Sequence, residues 1–265
     1  MNPHQSPDQR SDSPEYLKRK VFFDQLITVY GRKPVLEILD DKKLDIYRLH
    51  LADSNRGGGI IDQIKQLATQ RNIEVLYHNR SQLARISRNS KQDQGVACDI
   101  HCPGYKPYEQ AVSSLTEGDP KVLIAIDGVT NPQNLGMIIR SVTASPCHGL
   151  LLPTKGVAEI SSLVIKASAG TVFKGTILRC DSLLTALKKL QQKGFKLCML
   201  CSHDTTPLSD IPQDQSVIYI LGNESDGVSE SIASLCDYRV GIAMNNGVES
   251  LNVAVTAALV AFNAI

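Results

Sequence analysis

Two carboxylates stand in one short loop of this chain, Glu224 and Asp226 within Gly222-Asn-Glu-Ser-Asp-Gly227. A loop of that kind repels phosphate and suits a neutral or cationic ligand. S-adenosylmethionine, with its sulfonium and ammonium, meets the requirement. Phosphate-bearing cofactors have little support, because no Gly-x-Gly-x-x-Gly follows the first strand and no Walker lysine is present. That disfavours a nucleotide-dependent oxidoreductase. Cys198-x-x-Cys201-x-His203 has metal-like spacing but lacks a second pair, so no metal is expected. A different chemistry sits further forward, where Arg80, Arg85, Arg88 and Lys91 fall in one short stretch. A basic cluster beside a turn suits RNA phosphate, and equally suits a solvated helix face.

The elements that must position these residues follow from periodicity. Val217–Leu221 and Lys121–Ile126 are continuous apolar runs, as in strands buried on both faces. Val217–Leu221 and the strand-like run 238–244 each end in a Gly- and Asn-rich loop, Gly222–Gly227 and Asn245–Ser250, that opens a helix. In open α/β sheets, loops at the carboxyl ends of strands hold small ligands. Asn131 or Asn134 caps the helix that follows Asp127-Gly128, with Pro132 in its first turn. Strands are also expected at 149–152, 176–178, 196–200 and 238–244, and helices at 160–169, 183–193 and from 251 onward. Together they make a mostly parallel sheet. The front part reads as a helix over 31–39, strands at 46–51, 73–77 and 95–100, and helices over 60–71 and 81–86. The division is then a flexible extension over 1–25, an RNA-binding α/β domain over 26–103, a linker over 104–118 and a second α/β domain over 119–265.

Composition sets the frame. The chain has 265 residues, 42% of them hydrophobic and 21% charged, which fits a globular protein. Seven scattered cysteines suggest reduced thiols in a cytoplasmic protein. The polar N-terminus lacks the apolar segment of a secretory signal. Net charge is +1, but from Glu15 to Pro103 fifteen basic side chains face eleven acidic ones, against eleven and twelve from Asp119 onward. A basic front on a neutral back fits a nucleic-acid platform joined to a small-molecule domain.

The motifs also carry a resemblance. Asn134-Leu-Gly-Met-Ile-Ile-Arg140, Leu221-Gly-Asn-Glu224 with Gly227, and Ile242-Ala-Met244 with Glu249-Ser-Leu-Asn-Val253 are similar, in order and spacing, to the three motifs of the SPOUT superfamily. More narrowly they resemble its SpoU–TrmH branch of RNA ribose 2′-O-methyltransferases. Lys166-Ala-Ser-Ala-Gly170 resembles a segment between the first two motifs. Gly31-Arg-Lys-Pro-Val-Leu-Glu-Ile-Leu39 and Gln94-Gly-Val96 resemble the ribosomal-protein-like RNA-binding domain of rRNA-modifying members, such as the 23S rRNA guanosine 2′-O-methyltransferases.

The resemblance implies a C-terminal trefoil knot, S-adenosylmethionine as methyl donor, and a homodimer that builds the active site. It places Leu221, Gly222, Ile242, Met244 and Leu251 around the cofactor, and Asn134, Arg140, Glu224, Ser250 and Asn252 in catalysis. Arg140 holds the position for which a base role has been proposed. A guanidinium stays protonated, so clamping phosphate or stabilising an alkoxide suits it better. Blander roles exist: Asn134 and Ser250 suit helix caps, and Glu224 could pair with Arg140. Pro132-Gln133-Asn134, Ile242-Ala-Met244 and Asp93-Gln94-Gly95 depart from the frequent Pro-His-Asn, Ile-Pro-Met and His-Gln-Gly. A ribose methyltransferase acting on a guanosine of 23S rRNA is the preferred expectation. A tRNA ribose methyltransferase and a catalytically silent RNA-binding paralogue are the alternatives.

Overall fold

The computed structural model describes residues 14–202, 206–212 and 214–263. Its first element is α1 (Pro14–Asp24), so a helix occupies residues 14–24 of the stretch that reads as a flexible extension. The sequence suggests disorder for residues 1–14; of these, 1–13 lie outside the described residues. The front domain then runs β1 (Leu26–Tyr30), α2 (Arg32–Asp40), β2 (Ile46–Ala52), α3 (Ile60–Gln70), β3 (Glu74–His78), α4 (Arg80–Ser87) and β4 (Val96–His101). The strands form a sheet in the order β1-β4-β2-β3, in which only β2 and β3 are parallel. Amphipathic α2 and α3 bury Val35, Ile38, Leu39, Ile61 and Ile64 against one face. Leu83 of α4 closes the other, against Ala52 and Ala97.

The expected linker is part of the second domain. Residues after β4 form β5 (Tyr105–Pro107), a 3₁₀ turn and α5 (Val112–Thr116). β5 pairs in parallel with β8 (Ile177–Cys180), which the chain reaches after β6 (Val122–Ile126), α6 (Pro132–Ala144), β7 (Gly149–Pro153) and α7 (Ser162–Ala167). Tyr108, Ala111 and Leu115 are buried at helical spacing in the core of the second domain. Prolines and glycines on either side, and polar residues between them, mask that stripe.

The chain continues through α8 (Leu183–Gln192), β9 (Lys196–Leu200), the short β10 (Thr206–Pro207), β11 (Val217–Leu221), α9 (Glu230–Ala233), β12 (Tyr238–Gly241) and α10 (Val253–Asn263). The eight-stranded sheet has the order β10-β12-β9-β11-β6-β7-β8-β5, all its pairs parallel. Both faces are buried, as the continuous apolar runs predict. Val122, Ile124 and Ile126 point into one core beside α6 and α10, while Leu123 and Ala125 point into the other beside α8. Among the described residues no helix is long and apolar enough to cross a membrane.

Gly136 sets how closely α6 meets α7. A Cβ there would overlap Ala167 and the Val164 carbonyl. Ser168, fully buried, turns its hydroxyl back to the Ile165 carbonyl at 2.9 Å, and Thr171 reaches the Ser168 carbonyl at 2.8 Å. The small residues of Lys166-Ala-Ser-Ala-Gly170 thus let the helix carrying Asn134 sit close to α7.

Candidate active site

β6 and β11 lie side by side, and their carboxyl ends present two loops to the same rim. Asp127 joins them: its amide donates to the Leu221 carbonyl at 2.8 Å, and its carboxylate accepts the Ser229 amide at 2.8 Å. The loop after β11 is folded by Asn223, whose side-chain oxygen accepts the amides of Ser225 and Asp226 at 2.8 and 2.7 Å. Its backbone pairs in both directions with Gly227. Gly222 is needed here for close approach, since a Cβ on it would overlap the Gly227 backbone, whereas Gly227 sits at φ 69. Sequence reasoning gave Asn223 no role, although Asn before Ser-Asp-Gly is a turn signal.

The helix-cap alternatives resolve in favour of Asn131. Its side chain accepts the amides of Gln133 and Asn134 at 2.8 and 3.3 Å, with Pro132 at the first helical position. Asn134 is therefore free to bond elsewhere. It is 7% exposed, donates to the Glu224 carboxylate and accepts from the Asn252 side chain at 3.1 Å. Asn252 in turn accepts the Ala254 amide at 2.9 Å, capping α10. One chain of hydrogen bonds thus ties the starts of α6 and α10 to the loop after β11, across sequence gaps of 90 and 118 residues. The bonds fix amide orientation: the Asn134 nitrogen must face the carboxylate, leaving its oxygen for Asn252.

Beside this chain lies a cavity of about 530 Å³, within the usual range for small-molecule sites. Leu221, Gly222, Ile242, Met244 and Leu251, the five residues expected around the cofactor, all line it. So do Glu224 and Ser250. Among the described residues its walls carry three carboxylates, Glu224, Asp226 and Glu249, and neither Lys nor Arg. That donor set matches a ligand bearing positive charge and opposes one bearing phosphate.

One expected residue stands apart, and another is not the cap it could have been. Ser250 is exposed and does not cap α10, since Asn252 does. Arg140 is exposed on α6, on the side of Gln133 and Met137; it does not line the cavity or pair with Glu224. The basic cluster is exposed throughout but divides. Arg85 and Arg88 border a cleft between the domains, while Lys91 shares another cavity with Arg32 and Lys33. Cys198 is buried and Cys201 lies at the carboxyl end of β9; His203 falls outside the described residues. Among the described residues no group of three or more His, Cys, Asp or Glu could hold a metal.

Fold and rim together define a parallel α/β domain with a small-ligand site at the carboxyl ends of its strands, carried behind a separate α/β domain. Residues 121–262 match the model of the SpoU rRNA methylase family, and residues 28–106 match the RNA 2′-O ribose methyltransferase substrate-binding domain. Uncharacterized tRNA/rRNA methyltransferases of Mycobacterium sp. strain KMS and Mycobacterium leprae are each 30% identical, over 238 and 237 residues. The matches cover 89% of this chain in both cases, and 75% and 76% of those relatives. The AdoMet-bound rRNA methyltransferase of Sinorhizobium meliloti shares the fold with a TM-score of 0.60 at 21% identity, covering 95% of this chain and 90% of that one. The SpoU methyltransferase AviRb of Streptomyces viridochromogenes, in complex with AdoMet, does so at 0.59 and 20%, covering 95% and 92%. The chain belongs to the SpoU rRNA methylase family.

Proposed function

We propose that this chain is an S-adenosylmethionine-dependent RNA methyltransferase that modifies a ribose 2′-hydroxyl. The observation that carries the reading is the cavity beside the Asn134–Glu224–Asn252 chain, with three carboxylates and neither Lys nor Arg among the described residues of its walls. When bound, S-adenosylmethionine supplies a methyl group already activated on a sulfonium. The protein then has two tasks, aligning a hydroxyl and helping its proton leave. Leu221, Gly222, Ile242, Met244 and Leu251 hold the donor. Asn134 and Asn252 fix Glu224 at the cavity, and Ser250 offers a hydroxyl from the opposite loop.

Arg140 acts from a second copy of the chain. On α10, Val255, Leu259 and Phe262 form an exposed apolar stripe at i, i+4 and i+7, and α10 packs on α6, whose exposed side carries Met137 and Arg140. Pairing those faces in a homodimer buries the stripe and brings Arg140 towards a partner's cavity, where it clamps phosphate beside the reacting ribose. The reading includes the trefoil knot. From β12 the chain returns across three strand positions to place α10 on α6, the kind of return a threaded C-terminus requires. A guanosine ribose in 23S rRNA is the preferred target because of the front domain, with a tRNA ribose as the second reading. Seven scattered cysteines suit a cytoplasmic location.

Calorimetry with S-adenosylmethionine, followed by transfer of a labelled methyl to RNA, tests the core of this proposal. Wild type binds the donor and yields 2′-O-methylnucleosides. Arg140→Ala binds the donor but loses transfer. Failure of the wild type to bind the donor would revive the silent paralogue and end the enzymatic reading.

A further inference from the structure

The cleft between the two domains contains a polar assembly that the methyl-transfer site does not use. It has a volume of about 510 Å³ and opens along the carboxyl ends of β7 and β8, below β1 and α4 of the front domain. At its wall stands Asp99. One of its oxygens accepts the Thr28 hydroxyl at 2.6 Å; the other lies 3.0 Å from Nε2 of His50. His50, only 4% exposed, has its Nδ1 2.9 Å from Nε2 of His78. The carboxylate accepts from His50 Nε2–H, so a neutral His50 accepts at Nδ1 from His78 Nε2–H. A histidine pair, His50 buried and His78 half-buried, thus holds one carboxylate at the cleft wall. Such outer support is how binding groups are held in orientation.

The remaining walls suit a nucleobase. The Arg179 guanidinium lies 4.6 Å from the Tyr105 ring centre, and its Nη2 donates to the Asp24 carbonyl at 2.7 Å. Its Nε is buried without a partner. Tyr30 and Phe23 add aromatic surface. Three arginines, Arg85, Arg88 and Arg179, face three carboxylates, Asp24, Asp99 and Glu159. That balance gives no enclosed phosphate site, but donors and acceptors side by side are what a base edge requires. Unpaired RNA bases are read this way, stacked on aromatic or guanidinium planes and bonded along their edges. Arg85 and Arg88 are exposed at the mouth, where a backbone phosphate would lie.

Position adds a second argument. β7 stands two strands from β11 in the same parallel sheet, so cleft and donor cavity open on one rim. At the usual strand spacing the separation is roughly 10 Å, a span that a few nucleotides of single-stranded RNA cover. We propose that the interdomain cleft holds one unpaired nucleotide of the substrate RNA, a few positions from the methylated ribose, with Asp99 accepting an N–H of its base and His50 as the positioning residue. This rests on the RNA methyltransferase reading above.

The test uses the full-length protein and ribosomal RNA transcripts carrying 4-thiouridine or 6-thioguanosine, cross-linked by light. Adducts are expected on residues 28–30, on Tyr105 and on residues 157–160. Asp99→Asn should weaken RNA binding roughly 5- to 100-fold, the range of one good base-edge contact, and remove those adducts. His50→Gln, which keeps the carboxylate but loosens it, should lie between the two. S-adenosylmethionine affinity should stay at the wild-type value in both variants, which also shows that they fold. RNA binding with adducts only elsewhere, or with Asp99→Asn binding like wild type, overturns the cleft and leaves the methyltransferase reading standing. A wild type that binds no RNA removes both.

Discussion

Replacing Asn134 by Asp probes the bond network with the least change of shape. The buried amide nitrogen that faces Glu224 becomes an oxygen, so a charge-assisted hydrogen bond turns into carboxylate against carboxylate. A hydrogen bond to a charged group is worth about 1.5–3 kcal/mol. Two like charges at close range add about 1 kcal/mol in water-like surroundings and about 4 kcal/mol at a protein-surface dielectric. Glu224 is exposed, so the lower end of each range applies. The sum is about 2–3 kcal/mol, or roughly 5–10 °C in Tm for a chain of this size. Urea unfolding and S-adenosylmethionine calorimetry should both report the loss, because the repelled loop also forms one wall of the donor cavity. Adding Glu224→Gln gives the carboxylate at 134 an amide donor, and the double variant should recover most of the stability. Unchanged stability and donor affinity in Asn134→Asp, or no recovery in the double variant, would refute the network.

Three further outcomes follow. Gly222→Ala puts a Cβ into the Gly227 backbone, so donor affinity should fall at least about tenfold, the loss expected when supporting geometry around a site is disturbed, in a folded protein by circular dichroism. Leu115→Ala should destabilise the second domain by about 2–4 kcal/mol in denaturant melts, because Leu115 is 6% exposed in that domain's core; a flexible linker would tolerate it. Burial holds His78 and His148 below the ordinary histidine pKa, and His148 accepts the Val122 amide at Nδ1, 3.1 Å away. The unfolded chain therefore takes up protons first as pH falls. The stabilisation is complete above the ordinary histidine value and is lost as pH falls through the depressed folded values. Melting temperature should drop between pH 7.5 and 5.5, and less so in His148→Asn, whose side-chain oxygen can take the same amide.

The architecture of the sheet was legible where burial is total. Val122–Ile126 and Val217–Leu221 face apolar cores on both sides, so no polar residue interrupts them. The segment over 104–118 was not legible, because Tyr108, Ala111 and Leu115 bury one narrow stripe with polar residues between them and prolines and glycines on either side. Lining residues such as Gly222 and Met244 came from ordered motifs, and a carboxylate-bearing loop pointed to the same place. The bonds among Asn134, Glu224 and Asn252 have no local signature, since their partners lie 90 and 118 residues apart. Asn131 and Asn134 both fit a helix start, and only the backbone geometry chose between them. Arg140 shows the converse limit: its motif position is plain, yet the single chain leaves it outside the cavity.

Mapping ribose 2′-O-methylation across total RNA tests the central claim most directly, in cells with the wild-type chain, with Arg140→Ala and with none. The account predicts one ribose methyl, on rRNA or tRNA, that is present with the wild type and missing in the other two. Identical maps in all three, or a methyl that appears on a base instead of a ribose, would contradict it.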